Sequence, residues 1–253
     1  MKKDSNRNNL IQKQLKIITK KEEKLLKEPN DNYIKNKISP IKDKIEGMVP
    51  DKLQSTLELA FQKGFKVVFD KGTAVIEKTY NKENINMEYD INTYAVNKYP
   101  TRKNLRKIDK STNKKTIFNK SLTIVEGSAL GLLGIGLPDI PIYIGVILKS
   151  IYEISLSYGF DYSTESEKAF ILNIICATVT SGKERSHYFD KIDLISDEID
   201  NNKNPTYNIE DMLIETSNKI SVYMLTSKFI QGLPIVGVVG FLLLSILSDI
   251  KSI

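Results

Sequence analysis

Two glycine-rich apolar segments constrain the fold of this chain more than any other feature. The first segment, EGSALGLLGIGLPDIPIYIGVIL, covers residues 126–148, and Glu126 and Asp139 are its only charged residues. The second segment, QGLPIVGVVGFLLLSIL, covers residues 231–247 and carries no charge. Each has a proline after a Gly-Leu step and glycines at roughly helical spacing, and small residues let helix backbones approach closely. The pattern predicts two helical units that pack tightly, either against each other or in lipid.

Helical periodicity extends over most of the remaining chain. Apolar residues recur at three- to four-residue steps between Pro50 and Tyr80, which predicts one long helix. Further helices are predicted over residues 140–158, over residues 211–230 and, as a short element, over residues 189–199, and no segment shows the strict alternation of a strand. The predicted fold is therefore all-α, a multi-helix bundle in which the Gly-rich apolar helices form the core. The apolar positions of the first helix are Leu53, Leu57, Phe61, Phe65, Val68 and Val75.

Residues with capping or special backbone chemistry mark the helix ends near the first segment. Asp139 is placed to cap the helix that follows it, and Pro141 suits the first turn of that helix. Gly159 predicts its C-terminal end, because glycine readily adopts the left-handed conformation found there. Thr164 and Glu167 have the spacing of a capping box, which predicts the start of the next helix.

The net charge of +6 lies entirely in the N-terminal part of the chain. Met1 to Glu46 contains 13 Lys/Arg and 7 Asp/Glu, whereas the remainder contains 24 of each. We therefore predict a basic Lys/Asn-rich arm over residues 1–47, partly helical or disordered, and a helical domain over residues 48–253. Apolar residues at helical spacing between Leu10 and Glu28 allow three interpretations of the arm: a docking helix, a basic amphipathic helix on a membrane surface, or a solvated segment.

A basic patch precedes the first glycine-rich segment. Residues 98–120 hold nine basic residues against the single acidic residue Asp109. Such a patch can contact nucleic acid or an anionic membrane surface, although a Lys- and Asn-rich composition is also general to this chain. No nucleic-acid-reading module is recognisable, and apolar helices follow directly, so a membrane surface is the favoured partner. The candidate contact residues are Arg102, Lys103, Arg106, Lys107, Lys110, Lys114 and Lys115.

Length and charge bear on whether the chain crosses a membrane. Phe229 to Leu247 is 19 residues without a charge, close to the roughly 20 that a spanning helix needs. Residues 129–148 are as long but hold Asp139 and two prolines near their centre, which makes a poor simple span. Buried core is the favoured interpretation of both segments, ahead of peripheral or hairpin insertion and ahead of spanning.

The residue types that carry most catalytic chemistry are scarce. His187 is the only histidine and lies in a polar stretch, so we expect it at the surface. Cys176 is the only cysteine and lies among apolar residues, so we expect a buried, inert thiol and a reducing compartment. The N-terminus, MKKDSNRNNL, lacks the apolar run of a secretory signal, which favours a cytoplasmic location. The glycines of the first segment do not match a nucleotide-binding motif, and no metal or cofactor is predicted.

Carboxylates within apolar helices are the remaining candidates for chemistry. Glu126, Asp139 and Glu153 interrupt apolar sequence, and a buried carboxylate costs free energy unless it is paired or hydrogen-bonded. Capping accounts for Asp139 without any function. Lys149 lies four residues before Glu153 and can pair with it on one helix face.

Several of these motifs together resemble the bacterial EcsC family. GLPDIP at residues 136–141, IYEISLSYGFD at residues 151–161 and QGLPIVGVVG at residues 231–240 carry the resemblance, which covers roughly Pro50 to Ile250. The family is named for a protein encoded beside an ABC transporter, and the resemblance implies no accepted catalytic residues. The matched positions are Pro138, Asp139, Pro141, Glu153, Tyr158, Gly159, Asp161, Gln231, Pro234, Gly237 and Gly240.

Three functional hypotheses follow. The leading one is a cytoplasmic accessory or interaction protein, peripheral on the inner face of the cell membrane, with a membrane surface or a membrane protein complex such as an ABC transporter as partner. The main alternative is a soluble enzyme of unknown reaction that uses a pocket formed by Glu153, Tyr158 and Gln231, although the balance of residues is against catalysis. Nucleic-acid binding through residues 98–120 is the least favoured.

Overall fold

The described part of the chain is built from α-helices. The computed structural model describes residues 9, 11–20, 23, 51–107, 140–201, 203 and 205–231. Helix α1, Asp51–Val67, continues through a π-helical turn, Val68–Gly72, into α2, Thr73–Glu77. The later helices are α3, Lys82–Lys98; α4, Ile140–Ser157; α5, Glu165–Val179; α6, Gly182–Asp200; and α7, Ile209–Gln231. Residues 11–20 and 102–107 are also helical. These residues contain no strand, which confirms the all-α prediction.

The described residues divide into two compact units. Unit 1 contains residues 9, 11–20, 67–107 and 140–162, and unit 2 contains the described residues of 23–66 and 163–231. The predicted boundary of the basic arm at residue 47 lies outside the described residues.

Helix α4 forms the centre of unit 1, where it contacts α2, α3 and the π-helical turn. Ile144, Leu148, Tyr152 and Leu156 recur at four-residue steps on one face of α4 and are at most 2% exposed. Residues four apart lie one above the other on a helix, so this spacing produces a continuous apolar stripe. Pro141 lies in the first turn of α4, as predicted.

The π-helical turn changes which residues of the following helix face inward. Val75 was predicted to continue the apolar face of α1, but it is 63% exposed, whereas Ile76 is 8% exposed. A π turn closes its hydrogen bond one residue later than an α turn and therefore shifts the register of every residue after it. Gly72 ends this turn, and a Cβ placed on it would lie 3.0 Å from Cγ1 of Val68.

Helix α4 ends as its sequence predicts. Gly159 has a φ of +82°, the left-handed conformation that terminates many helices. A Cβ at this position would also lie 2.6 Å from the hydroxyl oxygen of Tyr89 on α3. The backbone angle favours glycine at this position, and its lack of a side chain leaves room for the end of the Tyr89 side chain.

Unit 2 is built around α5, which packs against α6 and α7. The predicted capping box opens α5: Glu167 donates its backbone N–H to Thr164 Oγ1, and the Glu167 side chain accepts the backbone N–H of Thr164. Leu172 and Ile175 are buried on α5, as is Ile220 on α7. Helix α6 is longer than the short element predicted over residues 189–199.

The glycine-rich segments lie mostly outside the described residues. Gly145 is the one glycine of the two segments that falls within them, and a Cβ placed on it would meet no atom within 4 Å. Close helix packing therefore does not require glycine at residue 145. The core role of the other glycines stays a prediction.

Candidate functional site

Three tyrosines of unit 1 form a hydrogen-bonded and stacked group, which we call the tyrosine cluster: Tyr80, Tyr152 and Tyr162, with Glu77, Lys82 and Asp161. Tyr162 donates its hydroxyl proton to Glu77 Oε1 at 2.6 Å. The hydroxyl oxygens of Tyr80 and Tyr162 are 2.8 Å apart. Since the Tyr162 proton points to Glu77, Tyr80 is the donor in this second bond.

Local structure positions each of these side chains. Tyr80 lies in the turn between α2 and α3, and Asn81 caps α3 by accepting the backbone N–H of Asn84 at 2.8 Å. Tyr162 follows the glycine that ends α4, and its ring stacks on that of Tyr152 with centroids 4.0 Å apart and planes 12° from parallel. The cluster therefore joins the α2–α3 turn to the C-terminal part of α4 and to the residues that follow this helix.

Lys82 supplies the positive charge of the cluster. Its Nζ lies 3.1 Å from Asp161 Oδ1, 3.9 Å from Glu77 Oε1 and 4.5 Å from the centroid of the Tyr162 ring. The lysine thus balances two carboxylates and makes a cation–π contact with the same tyrosine that bonds to one of them. Asp161 Oδ1 also accepts the backbone N–H of Tyr162 at 2.8 Å.

The environment holds the tyrosines in their neutral form. Burial raises the pKa of Tyr80 to about 12, and the nearby charge of Glu77 adds to this effect. Burial, followed by the hydrogen bonds to Glu77 and Tyr80, raises the pKa of Tyr162 well above its usual range. Burial also raises the pKa of Tyr152. At neutral pH all three hydroxyls are protonated, so the cluster acts as a hydrogen-bond network and does not act as a source of phenolate.

An open pocket of about 600 Å³ lies beside the cluster. It is lined by residues 78–83, the turn between α2 and α3, so Tyr80 and Lys82 reach it. Binding sites for small molecules usually enclose most of the ligand surface between several elements. A pocket lined by one turn provides little enclosure. Among the described residues, no group of three His, Cys, Asp or Glu side chains is arranged to hold a metal ion.

The predicted motif residues of α4 lie close to this cluster. Glu153 follows Tyr152 in sequence, is 9% exposed, and its charge contributes to the raised pKa of Tyr80. Tyr158 is half-buried at the C-terminal end of α4, and Asp161 pairs with Lys82. The postulated pocket with Gln231 stays a prediction, because the side chain of that residue lies outside the described residues. The same holds for the motif positions Pro138, Asp139, Pro234, Gly237 and Gly240.

Sequence reasoning did not identify the other members of the cluster. Glu77 and Tyr162 are 85 residues apart, and Tyr80 and Tyr162 are 82 residues apart. No local spacing rule links residues at such separations. The available signal was the capping Asn81, which marks a tight turn that brings Glu77 and Lys82 together.

A second surface feature of unit 1 is an exposed stripe that runs from α3 into residues 102–107; we call it the α3 stripe. Met87, Ile91 and Tyr94 are 55%, 61% and 67% exposed, and Tyr99 is 64% exposed. The helical residues that follow carry four of the predicted basic contact residues, all exposed. These are Arg102, Lys103, Arg106 and Lys107. The predicted contacts Lys110, Lys114 and Lys115 lie outside the described residues.

Unit 2 contains a smaller group of the same residue types. Tyr188 on α6 donates its hydroxyl proton to Glu215 on α7 at 2.6 Å. Lys191 lies 3.8 Å from Glu215 and 5.2 Å from the centroid of the Tyr188 ring. Burial and the hydrogen bond to Glu215 raise the pKa of Tyr188 above its usual range.

The two residues that sequence singled out in unit 2 are placed as predicted. Cys176 is 2% exposed, its Sγ lies 3.3 Å from Oγ1 of Thr216, and burial raises the pKa of its thiol to about 11. A thiol with this pKa is unreactive at neutral pH. His187 is exposed on α6. Neither residue belongs to a catalytic arrangement in the described structure.

Comparison with known proteins gives one match. The EcsC protein family matches residues 12–247 of the 253-residue chain. The match begins at residue 12, so it includes most of the N-terminal arm, whereas the resemblance in the sequence began at Pro50. No curated protein and no solved structure matches the chain. On this match, which covers nearly the whole sequence, the chain belongs to the EcsC protein family.

Proposed function

We propose that this EcsC protein is an accessory or interaction protein that acts at the cytoplasmic face of the cell membrane. It binds the anionic membrane surface through the α3 stripe, alone or together with a membrane protein complex such as an ABC transporter. The observation that carries the proposal is the continuity of exposed apolar and aromatic residues with exposed cations along one stretch of chain.

The apolar part of the α3 stripe fits a membrane interface. Met87, Ile91 and Tyr94 are separated by four and three residues, so they lie on one face of α3. Tyrosine is enriched at membrane–water interfaces because its ring is apolar and its hydroxyl is polar. Three exposed acidic residues, Glu83, Glu88 and Asp90, lie in the N-terminal half and at the midpoint of the helix, so the contact centres on its C-terminal half, with Ile91 and Tyr94.

The basic part of the stripe adds electrostatic attraction. Each Lys or Arg near an anionic membrane surface contributes about 1 kcal/mol to binding. Among the described residues, no carboxylate forms an ion pair with Arg102, Lys103, Arg106 or Lys107. A lipid surface uses both the cations and the apolar residues, whereas the phosphate backbone of a nucleic acid uses mainly the cations. This difference favours the membrane.

Packing of α4 supports peripheral binding. Among the described residues, one helix, Ile140–Ser157, is long and apolar enough to cross a membrane, and 39% of it is buried within the protein. A core helix of a soluble protein meets the same criteria. Ile144, Leu148 and Tyr152 are covered by other parts of the protein, so the apolar character of one face of α4 is explained by its place in the core.

Flotation with liposomes tests the proposal. The wild-type chain is expected to float with vesicles of phosphatidylglycerol at low salt and to remain at the bottom with phosphatidylcholine alone. High salt should reduce flotation, because screening weakens attraction between exposed charges. Absence of flotation with either vesicle at low salt would overturn the proposal.

A charge-reversed variant locates the contact. Changing Arg102, Lys103, Arg106 and Lys107 to Glu should abolish flotation on anionic vesicles. The matched control reverses four exposed lysines of unit 2 and changes the net charge by the same amount. Its substitutions are Lys52→Glu, Lys63→Glu, Lys183→Glu and Lys203→Glu. An equal loss in both variants would mean that net charge, and not the α3 stripe, controls binding.

The enzyme hypothesis has less support from the described residues. A general acid or base works best when its pKa lies near the working pH, and burial raises the pKa of Tyr80 to about 12. Glu153 remains the strongest candidate because it is buried beside the cluster. A turnover that Glu153→Gln abolishes while the fold is retained would favour the enzyme.

A further inference from the structure

We propose that residues 11–20 form a second membrane-contacting helix, which lies in the headgroup region of the same anionic membrane. This inference rests on the proposed function and adds a separate contact surface to it. We call this element the N-terminal helix.

The N-terminal helix has two chemically distinct faces. At about 100° of rotation per residue, Ile11, Leu15 and Ile18 fall within an arc of about 60°. The lysines Lys13, Lys16 and Lys20 fall within a similar arc on the opposite side. All three lysines are exposed. This separation is the pattern of a helix that lies in a membrane interface, with apolar side chains below and cations among the headgroups.

Exposure shows that the apolar face is available for a partner. Ile11 is 38% exposed and Leu15 is 49% exposed, whereas Ile18 is half-buried. Ile17 is 45% exposed but lies outside both arcs, so it is not part of the stripe. The two apolar side chains at the N-terminal end of the stripe are thus accessible to a binding partner.

Charge favours a lipid surface as the occupant. Residues 5–20 contain no Asp or Glu, so nothing on the helix repels an anionic membrane. An acidic protein surface would use the lysines, but these lie on the side opposite Ile11 and Leu15. A membrane interface contacts both faces of a helix that lies flat in it, because the headgroups surround the cations.

The apolar stripe of the N-terminal helix is narrow, so we expect this helix to strengthen membrane binding by the α3 stripe and not to bind tightly on its own. Two exposed apolar side chains bury little area, so the helix alone binds weakly. When the α3 stripe is already on the membrane, binding of the N-terminal helix becomes intramolecular, and linked weak contacts give a much higher overall affinity. The family match begins at residue 12, so most of this helix lies within the matched part of the chain.

Tryptophan fluorescence tests each contact separately, because the chain has no tryptophan of its own. Single variants Leu15→Trp and Tyr94→Trp report on the N-terminal helix and the α3 stripe. Leu194→Trp is the control, since Leu194 is 61% exposed on α6 in unit 2. With phosphatidylglycerol vesicles, emission should shift to the blue and be quenched by brominated lipids in the first two variants but not in the control.

The outcomes separate the two proposals. A shift in Tyr94→Trp without a shift in Leu15→Trp would overturn the second contact and leave the proposed function intact. No shift in either variant would overturn both. A shift in Leu15→Trp that depends on protein concentration and not on lipid would mean that this face binds another copy of the chain, which also contradicts the inference.

A polar variant measures the contribution of the helix. The double substitution of Ile11 and Leu15 by Ser should weaken partitioning to anionic vesicles by about tenfold, because two apolar side chains no longer leave water. Ile17→Ser is the matched control on the same helix, and it should leave partitioning unchanged. Equal effects of the two variants would contradict the proposed orientation.

Discussion

The tyrosine cluster of unit 1 and the Tyr188 group of unit 2 use the same residue types to different extents. Tyr162 and Tyr188 are both 2% exposed, and each donates its hydroxyl proton to a glutamate at 2.6 Å. In unit 2 the pair holds α6 to α7, and Tyr188 also interacts with the thiol of Cys176 on α5. In unit 1 the network continues, because Tyr80 donates to Tyr162 and Tyr152 stacks on its ring.

The lysines show the same difference. Lys191 contacts one carboxylate and one ring, whereas Lys82 contacts two carboxylates and approaches its ring more closely, at 4.5 Å against 5.2 Å. The comparison teaches that a buried Tyr–Glu pair beside a lysine is a means of fastening helices in this protein. The additional polar groups of unit 1 distinguish that unit and lie beside the matched family motif.

Removing each tyrosine side chain should give the largest effect. Tyr162→Ala is expected to lower the free energy of unfolding by about 3–5 kcal/mol, as for other large buried aromatics. The loss in Tyr188→Ala should be smaller by about 1 kcal/mol, because the ring of Tyr188 has no stacked partner such as the one that Tyr152 provides for Tyr162. Urea unfolding followed by circular dichroism measures both, and a larger loss in Tyr188→Ala would contradict the comparison.

Removing only the hydroxyl sharpens the comparison. Tyr162→Phe retains the stacked ring but leaves Tyr80 without its acceptor and Glu77 without its donor, so we expect a loss of about 2–3 kcal/mol. Tyr188→Phe removes the hydrogen bond to the charged Glu215 and the weaker contact with the Cys176 thiol, and it should cost about 1.5 kcal/mol. The same unfolding experiment applies, and the phenylalanine variants should differ by more than their error. Equal values would show that the Tyr80 bond contributes nothing.

Replacing the lysines tests the electrostatic part of the comparison. Lys82→Met should lower stability by about 1 kcal/mol, and Lys191→Met by about half of that, because partly exposed ion pairs are weakened by solvent. Repeating the unfolding at high salt should shrink the effect of Lys82→Met. If Lys191→Met lowers stability as much as Lys82→Met or more, the second carboxylate partner of Lys82, Asp161, does not strengthen its contacts.

Alkaline pH should destabilise unit 2 through the buried thiol of Cys176. The described part of unit 1 contains no cysteine. Burial raises the pKa of Cys176 from 9.0 to about 11, so between these values the unfolded chain loses a proton that the folded chain keeps. Stability contributed by this group is therefore complete below pH 9 and is lost as pH rises toward 11. Cys176→Ala should remove up to about 1.4 kcal/mol per pH unit from the slope in this window.

Unfolding experiments at several pH values measure that slope. The free energies of unfolding of the variant and the wild type should run parallel below pH 9, and that of the wild type should fall more steeply above it. Tyrosines remote from Cys176 contribute equally to both chains, and Tyr188, which interacts with the thiol, stays protonated in the folded chain because its pKa lies well above this window. Identical slopes in the two chains would mean that the thiol is not protected in the folded state.

Local chemistry made much of the fold predictable from sequence. The capping box at Thr164 and the end of α4 at Gly159 were identified correctly, because each depends on residues within one turn of the chain. The helical period correctly identified Leu57, Phe61, Phe65 and Val68 as buried, whereas Leu53, in the first turn of α1, is 44% exposed. The prediction that Val75 is buried was wrong because a π turn inserts an extra residue into the helical period. No residue type indicates such a turn in the sequence.

The candidate site was less accessible to sequence reasoning. Glu153 and Asp161 were identified through the family motif, but their neighbours Glu77, Tyr80 and Lys82 come from a turn far away in the chain. Only the packing of α4 against α2 and α3 brings these groups together. The α3 stripe was predicted in its basic half alone, since Met87, Ile91 and Tyr94 have the spacing of an ordinary buried face.

The π-helical turn has a consequence for the whole tyrosine cluster. Rewinding Val68–Gly72 as an ordinary α-helical turn, with no residue removed, would rotate everything in α2 by about 100°. Val75 would then face inward in place of Ile76, and Glu77 would turn away from Tyr162. The bond between Glu77 and Tyr162 thus depends on the π winding of the turn that directly precedes α2, so the hydrogen-bond pattern of this helix is as tightly constrained as its composition.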